Sequence, residues 1–233
     1  MKVLAVVPAR CGSKGFPNKN IKEIEGKTLL EWAIKIGLDC SIIDDIYIST
    51  DCKKYENIAI SAGAKSLGLR PRKLASDTAK SIDVIIDLLD NLEKKYDYVV
   101  LLQPTSPVRQ GIDIENMLKS IEENNSSSAV SVCEFEEPHP FKLKTINDKG
   151  YIKSFIDGTS SEVPRQSLPK AYALNGAIYI TKVKTILEEK TFLPDDTIPY
   201  IMNNNINIDS EEDFIFLEAM IKKQKVNFSK VIN

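Results

Sequence analysis

Val3-Leu-Ala-Val-Val-Pro-Ala9 runs without a break into Arg10-Cys-Gly-Ser-Lys-Gly-Phe-Pro-Asn-Lys19-Asn20, and this junction decides the fold. A short, continuous apolar run reads as a strand covered on both faces. Such a strand, ending in a basic loop that contains glycine, presents backbone N–H groups and cations to phosphate. Arg10, Lys14 and Lys19 are interleaved with Gly12, Gly15 and Pro17. The spacing is neither G-x-x-x-x-G-K-[ST] nor G-x-G-x-x-G, so on spacing alone the loop is either an anion cradle or a solvated turn.

Working outward, Thr28-x-x-Glu31 is a capping-box pattern, and Leu30, Ala33, Ile34, Gly37 and Leu38 follow at helical spacing. Ile46 to Thr50 reads as a second strand ending at Asp51. A helix through Tyr55 to Ala62 closes at Gly63, and a strand-like piece follows around Ala64 to Leu67. After the basic connection Arg70 to Thr78 comes a helix with Ile85, Leu88, Leu89 and Leu92 on its apolar face. The strand Tyr98 to Leu102 runs into Gln103-Pro-Thr-Ser-Pro107-Val-Arg109; helix Ile112 to Glu122 and strand Ala129 to Cys133 repeat the alternation. This rhythm predicts an α/β fold with a doubly wound, mainly parallel sheet, its informative loops gathered at the carboxyl ends of the strands.

From residue 134 to 174 the rhythm breaks. Pro138, Pro140, Pro164 and Pro169 punctuate short strand candidates, and the segment reads as a flap over the site or a dimerisation arm within a single domain spanning 1–233. Strand Ala177 to Thr181 and a helix through Ile186 return to the core. Ile206 to Asp209 reads as a last short strand, and Asp209 or Ser210 caps a closing helix that buries Phe214, Leu217 and Ile221.

The 233 residues carry 31 Lys and Arg against 33 Asp and Glu, so any anion site must be local and nucleic acid is not an expected partner. The apolar start is too short for a secretory leader, and no stretch approaches the roughly 20 apolar residues of a spanning helix, so no membrane partner is expected. Cys11, Cys40, Cys52 and Cys133 are scattered without metal spacing and read as reduced thiols of a cytoplasmic protein. The lone His139, between two prolines, reads as a turn or packing residue, and Trp32 as helix packing.

The motifs, taken in order, resemble those of the acylneuraminate cytidylyltransferases, which make CMP-sialic acid and related CMP-nonulosonates. The resemblance rests on Ala9-Arg-x-Gly-Ser-Lys-Gly15 with Lys19-Asn20-Ile21, Arg70-Pro with Leu74-Ala-Ser-Asp-Thr78, and Leu101-Leu-Gln-Pro-Thr-Ser-Pro-Val-Arg109. It continues through His139-Pro-Phe-Lys142, Pro164-Arg-Gln166, Asn175-Gly-Ala-Ile-Tyr179 and Ile206-Asn-Ile-Asp-Ser-Glu211. The resemblance implies a Mg²⁺-assisted attack of a nine-carbon α-keto acid sugar on the α-phosphorus of CTP, by a homodimer. Two anions that repel must then be held together by cations, backbone donors and metal.

The same resemblance implies residue roles. Arg10 and Lys19 would bind the nucleotide phosphates and serve catalysis, with Gly12, Ser13, Lys14 and Asn20 completing the nucleotide site. Arg70 and Ser81 would hold cytidine, although a helix N-cap also accounts for Ser81. Gln103, Lys142, Arg165 and Asn175 would meet the sugar, Lys142 and Arg165 from either subunit. The family carries Asp-x-Asp after its last strand; here the pair is Asn207 and Asp209, which implies a weaker metal site with Asp209 the principal ligand. No side chain in the motifs stands out as a general base. The alternative readings are an eight-carbon ketosugar acid as substrate, or a nucleotide-binding module impaired through Asn207.

Overall fold

The computed structural model describes residues 1–13, 15–135, 137–204 and 206–226. Strand β1 (Val3–Pro8) leads through the basic loop to a small ribbon, β2 (Glu23–Ile24) and β3 (Lys27–Thr28), and then to α1 (Leu29–Leu38). Next come β4 (Asp45–Ser49), α2 (Lys53–Ser61), α3 (Ser81–Asp90), β5 (Tyr98–Leu101), α4 (Gly111–Glu123) and β6 (Ser128–Glu134). An excursion carries the hairpin β7 (Lys144–Ile146) and β8 (Ile152–Ser154). The chain returns as β9 (Tyr172–Lys182), α5 (Val183–Glu189), β10 (Ile198–Ile201) and α6 (Glu211–Lys222).

The central sheet has the order β10-β6-β9-β5-β1-β4. Its pairs are parallel except those of β9, which runs antiparallel to both β5 and β6. The sheet is therefore mainly parallel, as expected. Alternate side chains of β1 feed two cores. Val3, Ala5 and Val7 pack with α1, α2 and α4, whereas Leu4 and Val6 pack with α3 and Ile186 of α5. Burying both faces of one strand is what its unbroken apolar run requires.

Two capping boxes set helix starts. Thr28 Oγ1 accepts from Glu31 N at 3.1 Å and Thr28 N donates to the Glu31 carboxylate at 2.8 Å. Ser210 and Asp213 repeat the device at α6, so Ser210 and not Asp209 is the cap. Gly63, at φ +103°, closes α2.

Two expected strands differ. Ala64 to Leu67 contributes only a bridge between Tyr47 and Lys65. Residues 206–209 form no strand; Ile208 N donates to the Thr105 carbonyl at 2.7 Å, and Ile206 and Ile208 are buried in a third core with Phe16, Leu29, Trp32, Phe214 and Leu217. That core ties the basic loop to the segment carrying Asp209, with the Phe16 and Phe214 rings 5.9 Å apart.

Candidate active site

The carboxyl ends of β1 and β5 open onto one cleft of about 460 Å³. At the end of β1, Ala9 N donates to Ser49 O and Cys11 N donates to Asp51 Oδ1, which fastens the basic loop to the end of β4. Asn20 is buried, and its Nδ2 donates to Arg10 O at 3.2 Å, so it braces the loop from behind. A hydrogen bond with Cys52, then burial, raises the Cys11 thiol above its ordinary value, which keeps it protonated and unsuited to nucleophilic work.

Of the residues singled out in the sequence, Arg10, Ser13, Lys19, Asn20, Arg70, Ser81, Gln103 and Asp209 line this cleft. Gly12 lies in the loop itself with open space where a Cβ would stand, and Lys14 lies outside the described residues. Lys80 occupies the N-cap position of α3, so capping does not account for Ser81. Leu74, Ala79 and Val84 supply apolar wall beside Ser81 and Arg70. Burial is the main influence lowering the Arg70 pKa; Arg10 adds to it and Asp51 opposes it.

The two cations expected at phosphate are each held by a carboxylate. Arg10 donates to Asp77 Oδ1 at 2.6 Å, and Lys19 Nζ donates to Asp209 Oδ1 at 2.7 Å. Asp77 was not legible as part of the site, although it stands in the quoted Leu74 to Thr78 motif.

Asn207 Oδ1 accepts from Ser106 Oγ at 3.0 Å and its Nδ2 donates to Asp209 Oδ2 at 2.8 Å, so one acceptor site of the amide oxygen is taken by the protein. Among the described residues no cluster of three or more His, Cys, Asp or Glu side chains could hold a metal. This donor set would fit a Mg²⁺ ion held chiefly by nucleotide phosphates, with Asp209 the carboxylate that the chain would offer it.

Three expected sugar contacts do not line the cleft. Asn175 is buried, with Oδ1 accepting from Ser131 Oγ at 2.6 Å and Ala177 N at 3.1 Å, and Nδ2 donating to Asn204 O at 3.3 Å. Its side chain ties β6 to β9, which a turn-like Asn-Gly pair gave no reason to expect. Lys142 and Arg165 sit on the excursion, where Arg165 pairs with Glu137 at 2.8 Å. His139 is buried at the foot of the excursion, its Nε2 2.9 Å from Pro169 O, in keeping with a packing role.

Gly176 brings the remaining pieces together. At φ +72° its missing Cβ would stand 2.8 Å from Ser106 Oγ and 3.0 Å from Gln103 Oε1. The hydrogen of Ser106 Oγ is shared with the Asn175 carbonyl, at 3.1 Å. Gln103, Ser106, Gly176 and Asn207 thus form one polar knot behind the cleft.

The sequence pattern of the cytidylyltransferase family matches residues 4–230. An N-acylneuraminate cytidylyltransferase of Streptococcus agalactiae is 35% identical over 92% of this chain and 52% of its own length. The chain thus spans about half the length of that relative. A CMP-N,N'-diacetyllegionaminic acid synthase of Legionella pneumophila is 35% identical over 95% of this chain and 97% of its own. In fold, the chain is similar to a CMP:2-keto-3-deoxy-manno-octonic acid synthetase complexed with CTP, with a TM-score of 0.72 at 17% identity, over 96% of this chain and 100% of that one. With the basic loop, Gln103 and Asp209 gathered at one cleft and the family's pattern running nearly end to end, the chain belongs to the cytidylyltransferase family.

Proposed function

We propose that this chain joins CTP to a nine-carbon α-keto acid sugar of the nonulosonate class, giving a CMP-sugar and pyrophosphate. The observation that carries the reading is the pairing of Arg10 with Asp77 and Lys19 with Asp209 at one cleft mouth: both cations already hold oxyanions where a triphosphate would enter. Phosphate oxygens would replace the two carboxylates, a charge-assisted exchange that leaves Asp209 free. The names of the Streptococcus and Legionella relatives support the sugar class.

Arg70, Ser81 and the apolar wall at Leu74 and Val84 hold the base; Arg10 and Lys19, with backbone donors of the loop, offset repulsion between triphosphate and sugar carboxylate. Gln103 orients the sugar so that its anomeric hydroxyl attacks the α-phosphorus in line with the departing pyrophosphate. Mg²⁺ bound with the nucleotide would neutralise phosphate charge, and Asp209 is the residue that would hold it.

The reading extends to a homodimer and to the cytoplasm, where CTP is made. The excursion exposes Ile146 and Ile152 at 72% each and Phe155 at 66%, a bare apolar arm on a segment that also carries Lys142 and Arg165. A second copy covering this arm would carry those two cations toward a neighbouring cleft. No described helix is long and apolar enough to cross a membrane.

The test is pyrophosphate release from CTP and Mg²⁺ with N-acetylneuraminate, legionaminate, pseudaminate and an eight-carbon ketosugar acid. Turnover with at least one nine-carbon acid, lost in Lys19→Ala, is expected. Turnover confined to the eight-carbon acid, or none with folded protein, overturns the assignment.

A further inference from the structure

Arg109 is 1% exposed, and no carboxylate pairs with it among the described residues. Burial alone lowers its pKa to about 9. A buried, unpaired cation is costly, and an apolar side chain of similar volume would ordinarily be more stable at such a position. What the cation gathers is therefore informative. The two hydrogens of one terminal nitrogen are shared among three carbonyls: Gln103 O at 2.8 Å, Ser106 O at 2.9 Å and Ala177 O at 2.7 Å. Its Nε and other terminal nitrogen have no partner among the described residues.

The register explains why those carbonyls need a cation. The antiparallel ladder of β5 and β9 pairs Tyr98 with Lys182 and ends at Leu101 with Tyr179. Continued by two residues, it would pair Gln103 with Ala177. There the strands part: Gln103 turns into the cleft loop, where its carbonyl also accepts from Ser106 N at 3.3 Å, and Ala177 N turns to Asn175 Oδ1 at 3.1 Å, so the ladder bond between these two residues is missing. The guanidinium stands in that gap. It supplies a donor in place of the lost ladder bond, and its contact with Ser106 O reinforces the turn that Ser106 N closes on the Gln103 carbonyl.

We propose that Arg109 is the positioning residue that holds Gln103 and the Gly176 bend in register for the sugar. The inference rests on the cytidylyltransferase reading above. Arg109 does not line the nucleotide cleft, and the loop of Arg10 to Asn20 is fastened independently through Asp51 and Ser49. Loss of Arg109 therefore falls mainly on the sugar, through Gln103, while the phosphate loop keeps its own fastening.

The experiment compares Arg109→Met and Arg109→Lys with the parent, by kinetics and by hydrogen exchange. In Arg109→Met, kcat/KM for the sugar is expected to fall about tenfold or more, the size of a lost charge-assisted hydrogen bond, with CTP affinity changed less than about twofold. Arg109→Lys, which keeps the charge one bond short of the carbonyls, is expected to recover part of the loss. Backbone exchange is expected to rise at 103–107 and 175–178 and not in β1 or β4. If Arg109→Met folds too poorly to assay, Arg109→Lys carries both readouts. A parent without turnover sinks the reaction assigned to the protein, while the exchange pattern still tests Arg109. Equal losses for CTP and sugar, exchange spread over the whole sheet, or no change in either readout would overturn the positioning role.

Discussion

Replacing Gly176 with alanine applies two separable costs. The first is conformational: at φ +72° an L-residue is disfavoured by roughly 1–2 kcal/mol relative to glycine. The second is contact. A Cβ 2.8 Å from Ser106 Oγ and 3.0 Å from Gln103 Oε1 cannot be accommodated in place. Ser106 would have to give up the hydrogen bond that its single hydroxyl hydrogen shares between the Asn175 carbonyl and Asn207 Oδ1, worth about 1 kcal/mol net. The sum, about 2–3 kcal/mol, corresponds to a fall in Tm of roughly 4–12 °C for a domain of this size. Gly26→Ala provides the control, because Gly26 has φ +75° but nothing within 4 Å of its missing Cβ. It should lose only the conformational part. Thermal unfolding of both variants, with KM for each substrate, measures the difference. Gly176→Ala should melt below Gly26→Ala and raise KM for the sugar far more than for CTP. Equal melting temperatures with an unchanged sugar KM would refute the knot of Gln103, Ser106 and Asn207 as a positioning device.

Other outcomes follow from the ion pairs and the acidic cluster. Asp77→Asn frees Arg10, so CTP should bind up to about fivefold more tightly by calorimetry, the scale of one exposed ion pair; weaker binding would contradict the exchange of carboxylate for phosphate. Asn207→Asp sets a carboxylate beside Asp209 in place of an amide donor, so Tm should fall without Mg²⁺ and rise with Mg²⁺ by more than in the parent; an identical Mg²⁺ response would count against this geometry. Burial alone would raise the Asp45 pKa, but donation from Lys65, Lys94 and Tyr96 outweighs it and holds the carboxyl well below the usual range. Its stabilisation is therefore complete above the unfolded value near 4 and is lost as pH falls through the folded one. Asp45→Asn should cost about 2 kcal/mol at pH 7, discounted for the exposed lysines, and the gap to the parent should close toward pH 2 in urea titrations; a constant gap would show that charge is not the cause.

The parts of the fold legible in the sequence are those in which burial leaves a continuous or periodic mark. β1 and β5 are unbroken apolar runs because both of their faces are covered, and Thr28 with Glu31 announces α1 through a local hydrogen-bond pair. The antiparallel sense of β9 was not legible, because strand direction follows from what the excursion does between β6 and β9. β10 was missed for a local reason: Pro199 and the alternation of half-buried and exposed residues hide an edge strand. Ile206 to Ile208 misled in the opposite direction, since period-2 burial arises there from packing on Phe16 and Phe214 without a ladder.

At the site, motif position singled out Arg10, Lys19, Gln103 and Asp209, which the structure brings to one cleft. It could not show which way a side chain turns. Asn175 faces Ser131 in the interior, and the Asn207 amide is divided between Ser106 and Asp209. Lys142 and Arg165 lie on the excursion and outside the lining of the cleft, and nothing in the order of residues along one chain records that separation. Arg109 was visible as the last letter of a motif, but its burial and its three carbonyls depend on two strands that part only in three dimensions.

The central claim is that the cleft transfers the cytidylyl group of CTP to an acidic sugar. It is tested most directly by following the phosphorus nuclei of CTP by magnetic resonance while the protein acts on a nine-carbon α-keto acid sugar. The account predicts that the α-phosphorus signal moves to that of a single sugar phosphodiester as pyrophosphate appears in equal amount, and that Arg10→Ala and Lys19→Ala abolish both changes while remaining folded. Release of free CMP without a phosphodiester, or CTP left intact with every sugar of the class, would contradict it.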